Sequence, residues 1–381
     1  MTNQIVPQEL LRNANRILFI AHLALGDFAY LQNCFRQFAA AYPHIKLDLW
    51  VDELRRTDRA ADWPFLQKYA LYDWLAACPY FSRVYNQTYS PALFEQSVFE
   101  AQRQNYPIVV SLAVLHRPEY ARLARRLSPS GFIVGQKKRW FPHFSRFLAY
   151  RQLDAAIPAY SSSKVGQTHI SEIYAGWFGA MFGAQTVPQD RFPFVEIPPE
   201  WQRRTREQLV QWGFSPGGES GKVVFVNAFS KAQDRNWPLE RVVELIRALR
   251  QKEAYVDAGF IVNAVPEELA RVRALLANAG LARTHLFSAD ENFFQLPAVL
   301  SFCDLIVSVE TAVMHLANAV QVPVVALMRQ RNPEWVPIDR ERSTIITVPG
   351  KRDWVAAITV EQVVEVVQQQ NFPEASHAAV R

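Results

Sequence analysis

Apolar residues in this chain come in short bursts rather than long belts. RILFIAH (16–22), KLDLWVDE (46–53), PIVVSLAV (107–114), GFIVGQ (131–136), KVVFVNAF (222–229), DAGFIVNA (257–264), DLIVSV (304–309) and VPVVALM (322–328) are strand-length runs. Most are continuously apolar rather than alternating, which is the signature of parallel strands covered on both faces. Helix-length segments separate them: FAYLQNCFRQFAAAY, stopped by Pro43; a stretch around 65–77; another around 91–104; PEYARLARRL; and PLERVVELIRALRQ (238–251), with Pro238 at its N-terminal end. PEELARVRALLANAG (266–280) has both ends signalled, by Pro266 and by Gly280. Strand–helix–strand repetition predicts parallel sheets with helices on both faces.

The alternation occurs twice. Between the two series, from Trp140 to Pro216, the chain reads as irregular, with a single helix over 168–183 and prolines at 158, 188, 193, 198 and 199. The predicted division is a first domain over 1–200, a connection over 201–221, a second domain over 222–357, and a C-terminal helix and tail over 358–381. Two doubly wound α/β domains facing each other across a central cleft would suit a large, two-part substrate.

Composition narrows the function. Half of the 381 residues are apolar and 20% are charged, as in a globular protein of two domains. Cys34, Cys78 and Cys303 are far apart and form no CxxC pair, so neither a disulfide framework nor a zinc site is expected, and a reducing cytosol fits. The first apolar run is too short for a spanning or signal helix, so an integral membrane protein is not expected. The net charge is only +5, but basic residues cluster at 121–127, 136–146 and 200–206. Such clusters attract phosphate groups or simply form solvated helix faces; no nucleic-acid-binding signature accompanies them.

Ligands of open α/β sheets bind outside the carboxyl ends of the strands. Four loops at such ends carry polar residues. In ALGD (24–27), Asp27 is either a helix N-cap or a base able to take a proton from a hydroxyl. NAFSKAQDRNWP (227–238) offers Ser230, Lys231 and Arg235 near a helix start, a set suited to a diphosphate, or else an ordinary exposed loop. No GxxxxGK[ST] or GxGxxG is present. Glu267 and Glu268 in VNAVPEE (262–268) are placed to bond ribose hydroxyls, or act as first-turn glutamates complementing the helix dipole. Last, Glu310, Thr311 and Ala312 form a tight turn between strand and helix, with His315 on the same helical face as Thr311. Glu310 can meet sugar hydroxyls there and the turn can hold phosphate, while a packing role is the ordinary one for His315.

Taken together, RILFIAHLALGDFAYLQNCFRQFAAAYP, NAFSKAQDRNWPLERVVELIRAL and LSFCDLIVSVETAVMHLANAVQVPVVALM resemble the ADP-heptose:lipopolysaccharide heptosyltransferase family, glycosyltransferase family nine. The likeness covers the first ~45 residues and most of 220–340, in the family's order and spacing. The resemblance implies a GT-B fold, two Rossmann-like domains, and an inverting, metal-independent transfer of heptose from ADP-heptose to an anionic lipopolysaccharide core acceptor. No other cofactor, no metal and no nucleic acid partner are implied. It makes Asp27 the general base and places the donor phosphates at Ser230, Lys231, Arg235, Thr311, Ala312 and His315, with Glu310 at the sugar. Arg235 stands where the family usually has Lys, Glu310 where it has Asp, and Ala312 where it has Gly; the last two changes bear on the donor sugar. Lys137, Lys138 and Arg139 are expected to meet the acceptor's anionic inner core, in a cytoplasmic protein peripheral to the inner membrane face. Two alternatives on the same fold are a catalytically weak nucleotide-sugar binder and a nucleotide-sugar epimerase.

Overall fold

A computed structural model describes residues 4–137, 148–160, 168–214 and 221–369. The chain divides into two compact units, Met1–Arg191 and Phe192–Arg381. Each holds a six-stranded parallel sheet. In the first, β1 (Arg16–Ala21), β2 (Lys46–Val51), β3 (Phe81–Tyr85), β4 (Ile108–Ser111), β5 (Phe132–Gln136) and β6 (Ala155–Ile157) lie in the order β3-β2-β1-β4-β5-β6. In the second, β7 (Val223–Asn227), β8 (Gly259–Asn263), β9 (Thr284–Phe287), β10 (Leu305–Val309), β11 (Val324–Met328) and β12 (Ser343–Thr347) lie in the order β12-β11-β10-β7-β8-β9. Counted from each unit's own first strand the two orders are the same, that of dinucleotide-binding α/β folds. Strand order reverses between β1 and β4 and between β7 and β10, and ligands of such sheets collect at that switch point.

Continuity of the apolar runs explains the sheets. β4, β7, β10 and β11 are buried at every position, so helices must cover both faces. In the helix Leu239–Arg250 the buried residues Leu239, Val242, Leu245, Ile246 and Leu249 follow the helical repeat and pack on the second sheet. Each such side chain contributes on the order of 1.5–3 kcal/mol by leaving water. The first sheet is covered by the helices Leu25–Ala41 and Ile170–Phe182, whose Phe35, Phe38, Phe178 and Phe182 surround Phe19 of β1 at centroid distances of 5.1, 5.7, 5.5 and 6.1 Å. That aromatic knot fixes the late helix over the first strand.

The stretch read as irregular contains more structure than the single helix expected over 168–183, observed as Ile170–Phe182. β6 is three residues long at a sheet edge, too short to give a periodic signal. The helix Pro199–Gln211, which spans the boundary between the predicted first domain and the connection over 201–221, buries only Thr205 and Leu209, so its apolar stripe is sparse. Beyond 328, β12 and the helix Val360–Gln369 complete the second sheet's covering, with Val360, Val363, Val364 and Val367 in its core. Among the described residues, no helix is long and apolar enough to cross a membrane.

Candidate functional site

At the first switch point the helix after β1 begins at Leu25, so Asp27 is in its first turn rather than at its N-cap. Asp27 Oδ2 accepts the backbone N–H of Ala24 at 3.0 Å, and Oδ1 accepts the Tyr174 hydroxyl at 3.1 Å. Tyr174 lies one helical turn before Phe178, whose ring stacks on Phe19, so the packing of the core aims the phenol at the carboxylate. Burial raises the proton affinity of Asp27 above that of an ordinary aspartate; the Ala24 N–H, the Tyr174 hydroxyl and nearby His22 only partly oppose it. Tyr174 itself is held far above its usual range by burial and by the Asp27 charge.

Other groups crowd this edge. Tyr69 donates to the Leu23 carbonyl at 2.8 Å, and burial followed by the Asp27 charge makes its hydroxyl a weaker acid than an ordinary phenol. Glu53, just past β2, takes Nε and Nη2 of Arg55 at 2.8 Å each, and this fork, against the upward effect of burial, keeps its carboxyl below the usual range. Lys137 is exposed directly after β5; Lys138 and Arg139 lie outside the described residues.

The second switch point is lined by neutral polar groups in register. Asn227 ends β7, opposite Asn263 of β8 on one side and Ser308 of β10 on the other. Asn263 Nδ2 donates to Asn227 Oδ1 at 2.9 Å, and Asn227 Nδ2 lies 3.1 Å from both Ser308 Oγ and Thr311 Oγ1. Thr311 caps the helix Ala312–Ala319, accepting Val313 N–H at 3.3 Å, so the turn expected at 310–312 is a capped helix start. Buried His315 follows on that helix, its ring 6.1 Å from Trp335.

The loop from Ser230 to Asn236 is pinned at its base. Trp237 N–H donates to the Ala228 carbonyl at 2.9 Å and its indole to the Ile358 carbonyl at 2.9 Å, while Ser230 N–H donates to Asn236 Oδ1 at 2.7 Å. Lys231 is exposed, and Arg235 is half-buried with its Nε lacking a partner among the described residues. A guanidinium nitrogen so placed is suited to an anion.

Two other expected residues, Glu310 and Glu268, are occupied within the chain. Glu310 is bound by Arg329 and Asn332. Glu268 pairs with Arg271 at 3.4 Å, and Glu267 is exposed on the short turn Pro266–Glu268. In the basic cluster at 121–127, Arg125 binds Asp154 and Arg126 binds Glu95; in that at 200–206, Arg204 binds Glu291 and lies over Trp201. Tyr174, Tyr69, Asn227, Asn263, Ser308 and Arg329 were not singled out from sequence. A signal existed for two of them: VVFVN and GFIVN both close an apolar strand with Asn.

Residues 184–353 match glycosyltransferase family 9 (heptosyltransferase). No curated protein sequence matches the chain. Among solved structures, a family 9 glycosyl transferase from Veillonella parvula superposes with a TM-score of 0.70 at 16% identity, covering 93% of this chain and 96% of that one. E. coli ADP-heptose lps heptosyltransferase II gives 0.64 at 17% identity, over 93% and 98% of the two chains. E. coli heptosyltransferase WaaC with ADP gives 0.65 at 17%, over 93% and 99%. Residues 184–353 are thus similar to glycosyltransferase family 9 (heptosyltransferase), and the chain has the GT-B fold of these heptosyltransferase structures.

Proposed function

We propose that this protein is an inverting, metal-independent glycosyltransferase that moves a heptose or related sugar from an ADP-sugar to a lipopolysaccharide or lipooligosaccharide core acceptor. The observation that carries the reading is the Asp27 carboxyl: placed at a switch point, raised in proton affinity by burial, yet held by two hydrogen-bond donors. Such a group takes a proton at neutral pH and is oriented while doing so.

Asp27 removes the proton from an acceptor hydroxyl, whose oxygen bonds to the anomeric carbon from the side opposite the nucleotide. The bond from that carbon to the diphosphate oxygen breaks, and its electron pair leaves with the diphosphate. Ser230, Lys231, Arg235 and the helix start through Thr311, Ala312 and His315 stabilise the charge that develops. Fixed cations and N–H groups then do what a divalent metal does in other transferases. Support for an adenine nucleotide is that E. coli heptosyltransferase WaaC, of the same fold, was solved with ADP and with ADP-2-deoxy-2-fluoro heptose. Lys137, with Lys138 and Arg139, would meet the anionic acceptor at the inner face of the cytoplasmic membrane, in a cytoplasmic protein.

Calorimetry with ADP, UDP, GDP and CMP and their sugars, followed by transfer to a lipopolysaccharide core acceptor, tests the proposal. Binding of ADP and its sugar with transfer is the expected result. Absence of any nucleotide binding would refute it, and binding without transfer would leave a nucleotide-sugar binder.

A further inference from the structure

Glu310 follows the last residue of β10, and its side chain is only 8% exposed. Its Oε2 accepts the backbone N–H and Nε of Arg329 at 3.4 and 3.3 Å; its Oε1 accepts Arg329 Nη2 at 3.2 Å and Asn332 Nδ2 at 3.3 Å. A carboxylate offers about four lone-pair positions, and these four donors fill them. Arg329, directly after β11, is 4% exposed, with its guanidinium 5.6 Å over the Trp354 ring. A sugar hydroxyl could reach Glu310 only by displacing one of these donors, and displacing the buried guanidinium among them is strongly unfavourable.

The loop that Glu310 grips is also fastened further along. Its Trp335 packs against His315, on the helix that Thr311 caps. Residues 329–335 are thus tied twice to one turn and helix, at Glu310 through Arg329 and Asn332 and at His315 through Trp335.

We infer that Glu310 is a positioning residue and not a sugar ligand: through Arg329 and Asn332 it seats the 329–335 loop on the helix start that holds the donor's diphosphate. This rests on the proposed reading of that helix start as the donor site. An aspartate, one methylene shorter, would reach Arg329 less well, so the longer side chain at 310 belongs with the arginine. Selection among donor sugars then falls to other groups, and loss of Glu310 acts on the nucleotide portion of any donor.

Titration calorimetry with ADP and with ADP-heptose, on wild type, Glu310→Gln, Arg329→Met, the double variant and Glu310→Asp, tests this, with thermal melting of each. Either single change to Gln or Met should weaken ADP roughly tenfold, the double variant no more than the worse single, and the preference for ADP-heptose over ADP should stay within about twofold. Glu310→Asp should fall between wild type and Glu310→Gln. Loss of ADP-heptose affinity with ADP affinity kept would make Glu310 a sugar ligand and overturn the inference. Lower melting with both affinities unchanged would leave only a structural brace and overturn it too. If wild type binds no nucleotide, the functional reading itself fails; additive melting losses in the double variant would separately refute the Glu310–Arg329 unit.

Discussion

The two units repeat one strand order and diverge at the place where that order reverses. In the first, the switch point carries a carboxyl, Asp27, that burial drives toward its protonated form and that a backbone N–H and a phenol hold in place. In the second, the corresponding edge carries a row of neutral groups, Asn263, Asn227, Ser308 and Thr311, next to a loop with Lys231 and Arg235. The topology supplies the same position twice, and side-chain chemistry makes one suited to accepting a proton and the other to holding an anion. Burial without a paired cation raises an acid; a preformed neutral network keeps a loop in place without attracting a counter-charge of its own.

The sharpest way to break this division is Asp27→Ala, which should lower transfer by about 10²–10⁴-fold while leaving ADP affinity nearly intact. A transfer assay and calorimetry on the same sample check it. On the other side, Lys231→Ala and Arg235→Ala should each weaken ADP by about 10–100-fold, the weight of a hydrogen bond to a charged group, with calorimetry as the readout. Asn227→Ala should destabilise the second unit by about 1–3 kcal/mol, because Asn263, Ser308 and Thr311 all lose a partner. Chemical denaturation measures that loss, and a change within error would remove the polar row from the comparison.

A smaller effect concerns pH. The folded state binds the Asp27 proton more tightly than the unfolded chain, so Asp27 contributes its full stability below the unfolded carboxylate value of about 3.9. That contribution is lost as pH rises through the higher folded value. Asp27→Asn, always neutral, should therefore melt like wild type in acid and on the order of a few degrees higher at neutral pH. Equal melting temperatures across the whole range would show that Asp27 carries no burial penalty.

Much of the fold was legible because buried parallel strands are continuous apolar runs, and β1, β2, β4, β5, β7, β8, β10 and β11 were traced from them. What escaped were elements with little apolar content to display: β6 at an edge and the helix Pro199–Gln211 with two buried residues. The candidate residues in the loops after β1, β7 and β10 were also legible, being polar residues at strand ends. Their partners were not. Tyr174 reaches Asp27 from 147 residues away, through a helix whose sequence advertises only its core face. Glu310 looked available for sugar because nothing local announces Arg329, which only the pairing of β10 with β11 brings beside it.

The most direct measurement on the central claim is the pH dependence of kcat/KM for transfer, in wild type and in Tyr174→Phe. With Asp27 as the base, activity should rise from acid through a midpoint above the ordinary aspartate range, near 3.9, and the midpoint should move further up when the Tyr174 hydroxyl is removed. An acid limb at the ordinary value, or one that Tyr174→Phe leaves in place, would contradict the assignment of Asp27.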